Sequence, residues 1–268
     1  MTEVFWNGKI IFMKEILKKF KKKLADGVPV YGPFMKTSDP AFVEATGYAG
    51  FDFVILDMEH GPNSLQSMQN LVRGALIAGV LPIFRVRDRQ AESISQALDI
   101  GALGIQVPQV STAVEVKEII EAAKFSPDGH RGVCRFVRAA EYSATPASAY
   151  FREANEALVI IQIEGKVALE NIDEIFSQKG VDIYFIGPYD LSQAIGVPGE
   201  IGHPEVLRII RELINKAKEK KCTIGLFTDT IESGIEWKNL GVGYISYSVD
   251  VGIYYSACRN ILDKLKKG

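Results

Sequence analysis

Eight short apolar runs, each bounded by turn residues and most followed by an amphipathic stretch, constrain this chain more than anything else in it. The runs are residues 28–34, 51–57, 81–86, 104–110, 158–164, 181–187, 222–228 and 242–248. A nearly continuous apolar run of this length reads as a parallel strand buried on both faces. Helix-like segments follow at 40–47, 64–78, 91–100, 112–124, 169–178, 204–220, 231–240 and 253–266. Asp39-Pro40, Asn63-Ser64 and Ser111-Thr112 stand where side chains cap helix starts. Gly79, Gly101 and Gly180 stand where helices should end. Eight strand–helix units within about 250 residues predict an α/β fold, the (β/α)8 TIM barrel, over residues 27–268. A doubly wound open sheet is the rival architecture, but no GxGxxG follows the first run.

Two segments break the alternation. Residues 1–26 form a leader that reads as a basic amphipathic helix from residue 9. Its apolar residues are Ile10, Phe12, Ile16, Leu17, Phe20 and Leu24, set against Lys18, Lys19, Lys21, Lys22 and Lys23. A helix plugging the barrel bottom and a membrane-surface helix are its two readings. Residues 126–155 are long and irregular, and loops of that length in a compact domain are usually functional or interfacial.

Charge and composition narrow the function classes. Lys and Arg total 31 against 33 Asp and Glu, a net charge of −2 that offers no field for nucleic acid. No apolar run reaches the roughly 18 residues of a membrane span. Cys134, Cys222 and Cys258 are widely spaced and odd in number, which suits a reducing cytoplasm.

Polar residues at the ends of buried strands each need a reason, and here they are numerous. The ends carry Asp57-Met58-Glu59-His60, Arg85-Val86-Arg87-Asp88, Pro108-Gln109, Gln162-Ile163-Glu164 and Gly187-Pro188-Tyr189-Asp190, with Asp99 just before Gly101. On a barrel or an open α/β sheet, such ends converge on one site. Glu164 and Asp190 are candidate oxygen ligands for a divalent metal, Mg or Mn rather than zinc. Arg85 is a fixed cation for an oxyanion. His60 can move a proton, with Asp57 or Asp99 as its orienting carboxylate. No lysine falls at a predicted strand end, so a Schiff-base route lacks its nucleophile. Each residue also has a bland reading: His60 as a buried structural histidine, Glu59 as the partner of an arginine, Glu164 and Asp190 as an ion-pair network, Asp99 as a turn cap. Phe227 is read either as a wall of an acceptor pocket or as core.

The ordered set Asp57-Met58-Glu59-His60-Gly61, Arg85-Val86, Leu98-Asp99-Ile100-Gly101-Ala102, Pro127-Asp128-Gly129-His130-Arg131-Gly132, Gln162-Ile163-Glu164 and Gly187-Pro188-Tyr189-Asp190-Leu191-Ser192 resembles the class II, metal-dependent pyruvate aldolases of the 4-hydroxy-2-oxoheptanedioate and 2-dehydro-3-deoxyglucarate aldolase type. The resemblance implies cleavage of a 4-hydroxy-2-oxo acid to pyruvate and an aldehyde through a metal-stabilised enolate, with Mg, Mn or Co as the cation. Oxaloacetate decarboxylation and citrate-lyase-type CoA-ester cleavage are the alternatives. It implies Glu164 and Asp190 as metal ligands, Arg85 as the enolate stabiliser and His60 with Asp99 as an acid/base dyad. Gln162, Gly187, Pro188 and Tyr189 would form the pyruvate shell. It also implies a homo-oligomer, commonly a hexamer, whose last helix is exchanged between subunits. Tyr189 stands where better-known members carry a small residue, so the acceptor half is where this chain departs from them.

Overall fold

The computed structural model describes residues 7–267, without the side chains of residues 7–12 and 14. Its strands are β1 (Val30–Met35), β2 (Phe53–Asp57), β3 (Leu81–Arg85), β4 (Gly104–Val107), β5 (Leu158–Ile163), β6 (Ile183–Ile186), β7 (Ile224–Thr228) and β8 (Tyr244–Val249). The helices are α1 (Asn7–Ala25), α2 (Pro40–Tyr48), α3 (Leu65–Ile77), α4 (Ala91–Asp99), α5 (Ala113–Ala123), α6 (Ala147–Ala154), α7 (Lys166–Glu170), α8 (Ile172–Ile175), α9 (Pro188–Ala194), α10 (Pro204–Lys220), α11 (Ile231–Asn239) and α12 (Asp250–Lys267). All eight strands are parallel and pair in sequence order, and β8 closes back onto β1. This is the (β/α)8 barrel, and the open-sheet rival is excluded.

The expected punctuation does the expected work. Asp39 accepts a hydrogen bond from the Ala41 amide at the start of α2. Ser64 and Thr112 each complete a capping box, at α3 and α5. Such caps satisfy amides that have no partner inside the helix.

Side chains alternate across a strand, so every second residue points into the barrel. An aromatic series results. Phe53 stacks on Tyr244 with ring centroids 4.0 Å apart, and Phe185 meets Tyr244 edge-on. Phe34 packs against both Phe185 and Phe227 nearer the mouth. At the other end Phe20 of α1 is buried edge-on against Phe53 and Tyr244. Helix α1 thus covers the bottom of the barrel, burying Ile16, Leu17 and Phe20; Ile10 and Phe12, expected on the same face, lie outside the described side chains. Gly32 is required in this tight interior: a β-carbon there would sit 2.0 Å from the Phe53 carbonyl oxygen.

Three expectations need correction. The segment 126–155 is not irregular throughout, since it holds a 3-10 turn (Arg138–Ser143) and α6. The helix expected at 169–178 is two short helices, α7 and α8, broken at Asn171. Strand β1 runs Val30–Met35 instead of 28–34, so Lys36 does stand at a strand end. The apolar runs at 28–34 included Val28, which the structure leaves exposed ahead of the strand.

Candidate functional site

Strand register builds the first part of the site. Asp57, the last residue of β2, pairs directly with Arg85, the last of β3. Their side chains form a two-pronged ion pair: Arg85 Nε donates to Asp57 Oδ1 at 2.8 Å and Nη2 to Oδ2 at 2.7 Å. Arg85 Nη1 lies 2.9 Å from Glu59 Oε2, and the guanidinium sits 4.6 Å from the centre of the Phe34 ring. Both members of the pair are buried. Burial alone would raise the Asp57 carboxyl, but Arg85's hydrogen bonds and charge outweigh it and hold the group below its ordinary range. Asp57 Oδ1 also accepts from the amides of Glu59 and His60, so one carboxylate fixes both the arginine and the loop that carries the histidine. Glu59 meets the expectation of an arginine partner.

Strand β5 and the turn after β6 build the second part. Glu164 is 4 % exposed, and its carboxylate accepts from Gln162 Nε2 at 2.8 Å and from the Gln109 amide at 2.7 Å. Gln109 reaches it from a left-handed backbone (φ 56), uncommon outside glycine and frequent at functional sites. Behind Gln162 lie two partners the sequence reading missed: Gln106 donates to Gln162 Oε1 at 2.5 Å, and Tyr244 donates to Gln106 Oε1 at 3.5 Å. Every donor in this series faces toward Glu164. The carboxyl is nonetheless pushed up to about 7, first by burial and then by the charge of Asp190, with a smaller push from Glu59. Glu59 is raised as well, by burial, with the charges of Asp57 and Asp190 opposing Arg85 and His60. Four carboxylates, Asp57, Glu59, Glu164 and Asp190, therefore share one region with Arg85.

These elements share a mouth cavity of about 510 Å³ at the carboxyl ends of the strands. Lys36, His60, Arg85, Gln162, Glu164, Gly187, Pro188, Tyr189 and Asp190 all line it, as does Asp229, which the sequence reading passed over. His60 is exposed at the rim, its Nε2 4.0 Å from Glu59 Oε2. Lys36 Nζ lies 4.0 Å from Asp57 Oδ2. The Lys36 and Thr37 amides donate to the Asp250 carboxylate, tying the end of β1 to the start of α12.

Asp99 is the exception. It ends α4, on the side of the barrel where strands begin, and pairs with Arg131 at 2.5 Å. Arg131 lines a separate cavity beside Met13 and Leu17 of α1, at the barrel's base. Within one chain the His60–Asp99 dyad does not form: a helix runs back from the mouth, so its last residue ends at the opposite face. The carboxylate that the His60 segment contacts is Asp57.

Removing Asp57 leaves a buried guanidinium without its main partner. Asp57→Ala is expected to cost about 3–5 kcal/mol in urea unfolding. A double replacement, Asp57→Ala with Arg85→Met, should recover part of that; equal losses in the single and double variants would contradict the pairing.

A family model described as HpcH/HpaI aldolase/citrate lyase matches residues 31–256. The chain is 32% identical over 254 residues to 2-keto-3-deoxy-L-rhamnonate aldolase of Escherichia coli (strain K12), covering 93% of both chains. Among solved structures, an HpcH/HpaI aldolase/citrate lyase family protein from Burkholderia cenocepacia J2315 superposes with TM-score 0.88 at 28% identity, over 92% of this chain and 99% of that one. Citrate synthase SbnG superposes with TM-score 0.83, also at 28% identity, over 92% and 97%. With the family model spanning most of the barrel and a relative above 30% identity along nearly the whole length, this chain belongs to the HpcH/HpaI aldolase/citrate lyase family.

Proposed function

We propose that this chain is a divalent-metal-dependent aldolase that cleaves a 4-hydroxy-2-oxo acid to pyruvate and an aldehyde and runs the reverse addition. Family membership makes it a carbon–carbon lyase of the aldolase type. The observation that carries the finer reading is the convergence of Glu164 and Asp190 with Arg85 and His60 on one mouth. The donor set fits a hard cation: the carboxylates are all oxygen donors, and Glu164 is buried where its charge is costly without a compensating positive charge. Among the described residues no three His, Cys, Asp or Glu side chains form a complete ligand set. Glu164 and Asp190 would hold the metal, with substrate and water oxygens filling the remaining positions. When bound, such a cation supplies Lewis acidity to the 2-oxo acid.

The chain's own groups account for the rest. Cleavage breaks the C3–C4 bond, leaves its electron pair on the enolate of pyruvate and frees the C4 hydroxyl proton. His60, exposed at the rim beside Glu59, takes that proton. Arg85 spends two of its five N–H groups on Asp57, faces Glu59 with a third nitrogen position, and has donors left for the enolate oxygen. Gln162 keeps Glu164 oriented, and the backbone of Gly187, Pro188 and Tyr189, where β6 leads into α9, forms the wall against which pyruvate packs. Its relative's name, 2-keto-3-deoxy-L-rhamnonate aldolase, supports a deoxygenated 2-oxo sugar acid as the substrate class. A second reading, condensation of the same enolate with another acceptor, draws on the structural likeness to citrate synthase SbnG.

We also propose a cytoplasmic homo-oligomer, a hexamer, in which α12 crosses to a neighbour. The three cysteines are free, and no described helix is long and apolar enough to cross a membrane. Asp250 is the only buried residue among the described residues of α12, while Tyr254, Tyr255, Ile261, Leu262 and Leu265 are exposed. Tyr254 meets Phe42 of α2 edge-on, yet the helix leaves these apolar side chains exposed on its own barrel, and such a face needs a partner surface.

Three measurements test this. Pyruvate methyl protons should exchange in D2O with Mg, Mn or Co, stop with EDTA, and slow at least ~10²-fold in Arg85→Ala; exchange that persists without metal would sink the assignment. Because the Glu164 carboxyl sits at about 7, cation binding must displace its proton at lower pH. Titration of Mn by calorimetry in paired buffers should show roughly one proton released at pH 6 and roughly a tenth at pH 8, with affinity falling as pH drops; a flat profile would contradict Glu164 as a ligand. Sedimentation should give a multiple of the 29.6 kDa chain, and a monomer at all concentrations would refute the helix exchange.

A further inference from the structure

The mouth has two unlike arcs. The ends of β3, β5 and β6 hold Arg85, Gln162, Glu164 and Asp190, the groups assigned above to the pyruvate half. The remaining arc, from the ends of β7, β8 and β1, is walled by Phe34, Phe227 and Val249 and is the side left for the aldehyde once pyruvate occupies the first. Across this arc runs a side-chain bridge: Tyr189, at the start of α9, donates its hydroxyl to Asp229 Oδ2 at 2.9 Å, just beyond β7. The Tyr189 ring packs edge-on to Phe227, with centroids 5.8 Å apart.

The bridge uses one oxygen of Asp229. Its other oxygen has no hydrogen-bond partner among the described residues, and Asp229 lines the cavity. A hydroxyl on the incoming aldehyde can donate to it. With the Glu164–Asp190 pair committed to a cation, the carboxylate that faces the aldehyde is Asp229, and a second carboxylate or a phosphate on that aldehyde would be repelled by it. Lys36, the cation lining this arc among the described residues, is directed at Asp57 at 4.0 Å and weighs against a cationic aldehyde. Resting on the aldolase reading above, we propose that Tyr189 and Asp229 form the aldehyde-recognition element of this mouth, selecting uncharged hydroxyaldehydes over those that carry a carboxylate or phosphate.

Glycolaldehyde and glyoxylate make a matched pair of two-carbon acceptors, one hydroxylated and neutral, one anionic. The test is the ratio of their kcat/KM values in aldol addition with pyruvate, because a general loss of activity or folding cancels within each protein. Wild type should favour glycolaldehyde. Asp229→Asn should lower the ratio by about tenfold, through loss of a charged acceptor and of repulsion together. Tyr189→Phe keeps the carboxylate, so it should raise the KM for glycolaldehyde while glyoxylate stays excluded; it also serves if the Asp229 variant does not fold. Wild-type preference for glyoxylate, or a ratio within twofold of wild type in both variants, would overturn the proposal. Methyl-proton exchange by wild type, run alongside, separates the failures: exchange with an unmoved ratio removes only the bridge's role, whereas no exchange with any metal removes the aldolase reading and this one with it.

Discussion

Much of this structure hangs on a single cross-strand pair. The β2–β3 register sets Asp57 opposite Arg85, and a two-pronged, charge-assisted contact between them fixes an arginine that would otherwise sweep through many rotamers. The same carboxylate holds the amides of Glu59 and His60. A slip of one residue in either strand would turn its member of the pair away from the barrel interior and leave the other charge unpartnered. The β2–β3 register, the arginine's aim and the histidine's loop are thus one constraint seen from three sides.

Around that pair, the mouth is organised by opposed charges. Asp57 is kept charged by a guanidinium within hydrogen-bonding distance. Glu164, a few strands away, has only neutral donors: an amide side chain, a backbone N–H, and the Gln106 and Tyr244 series behind them. Neutral donors orient a carboxylate but do not repay its desolvation. One carboxylate is therefore settled by its partner, and the other is poised between protonated and charged. That difference in environment is what equips two chemically similar groups for separate tasks.

The sequence made the barrel readable because strand and helix periods differ, and because buried parallel strands are apolar throughout. Asp57, Arg85, Gln162, Glu164 and Asp190 were readable for the converse reason, as charged or polar residues that an apolar strand end would not otherwise tolerate. What escaped was set by three-dimensional placement. Asp99 lies close to a strand in sequence but at the far end of a helix, on the opposite face of the barrel. Lys36 was lost to a boundary error of one to two residues at β1. Gln106 reads as an interruption within an apolar run, and its role depends on a neighbour 56 residues away. Asp229 sits in Thr228-Asp229-Thr230, a polar triplet at a strand end that resembles an ordinary helix cap; indeed Thr230 does cap α11.

The contact between the Gln109 amide and Glu164 has one more implication. Its donor belongs to the main chain, so nearly every coding change at position 109 preserves it, and proline alone deletes the N–H outright. Genetic drift can reach the side chain of residue 109, which faces a different cost from its left-handed backbone, without touching the carboxylate's support. The buried Glu164 carboxylate thereby leans on an atom that is almost invisible to point mutation, and a comparison of sequences would pass over it entirely.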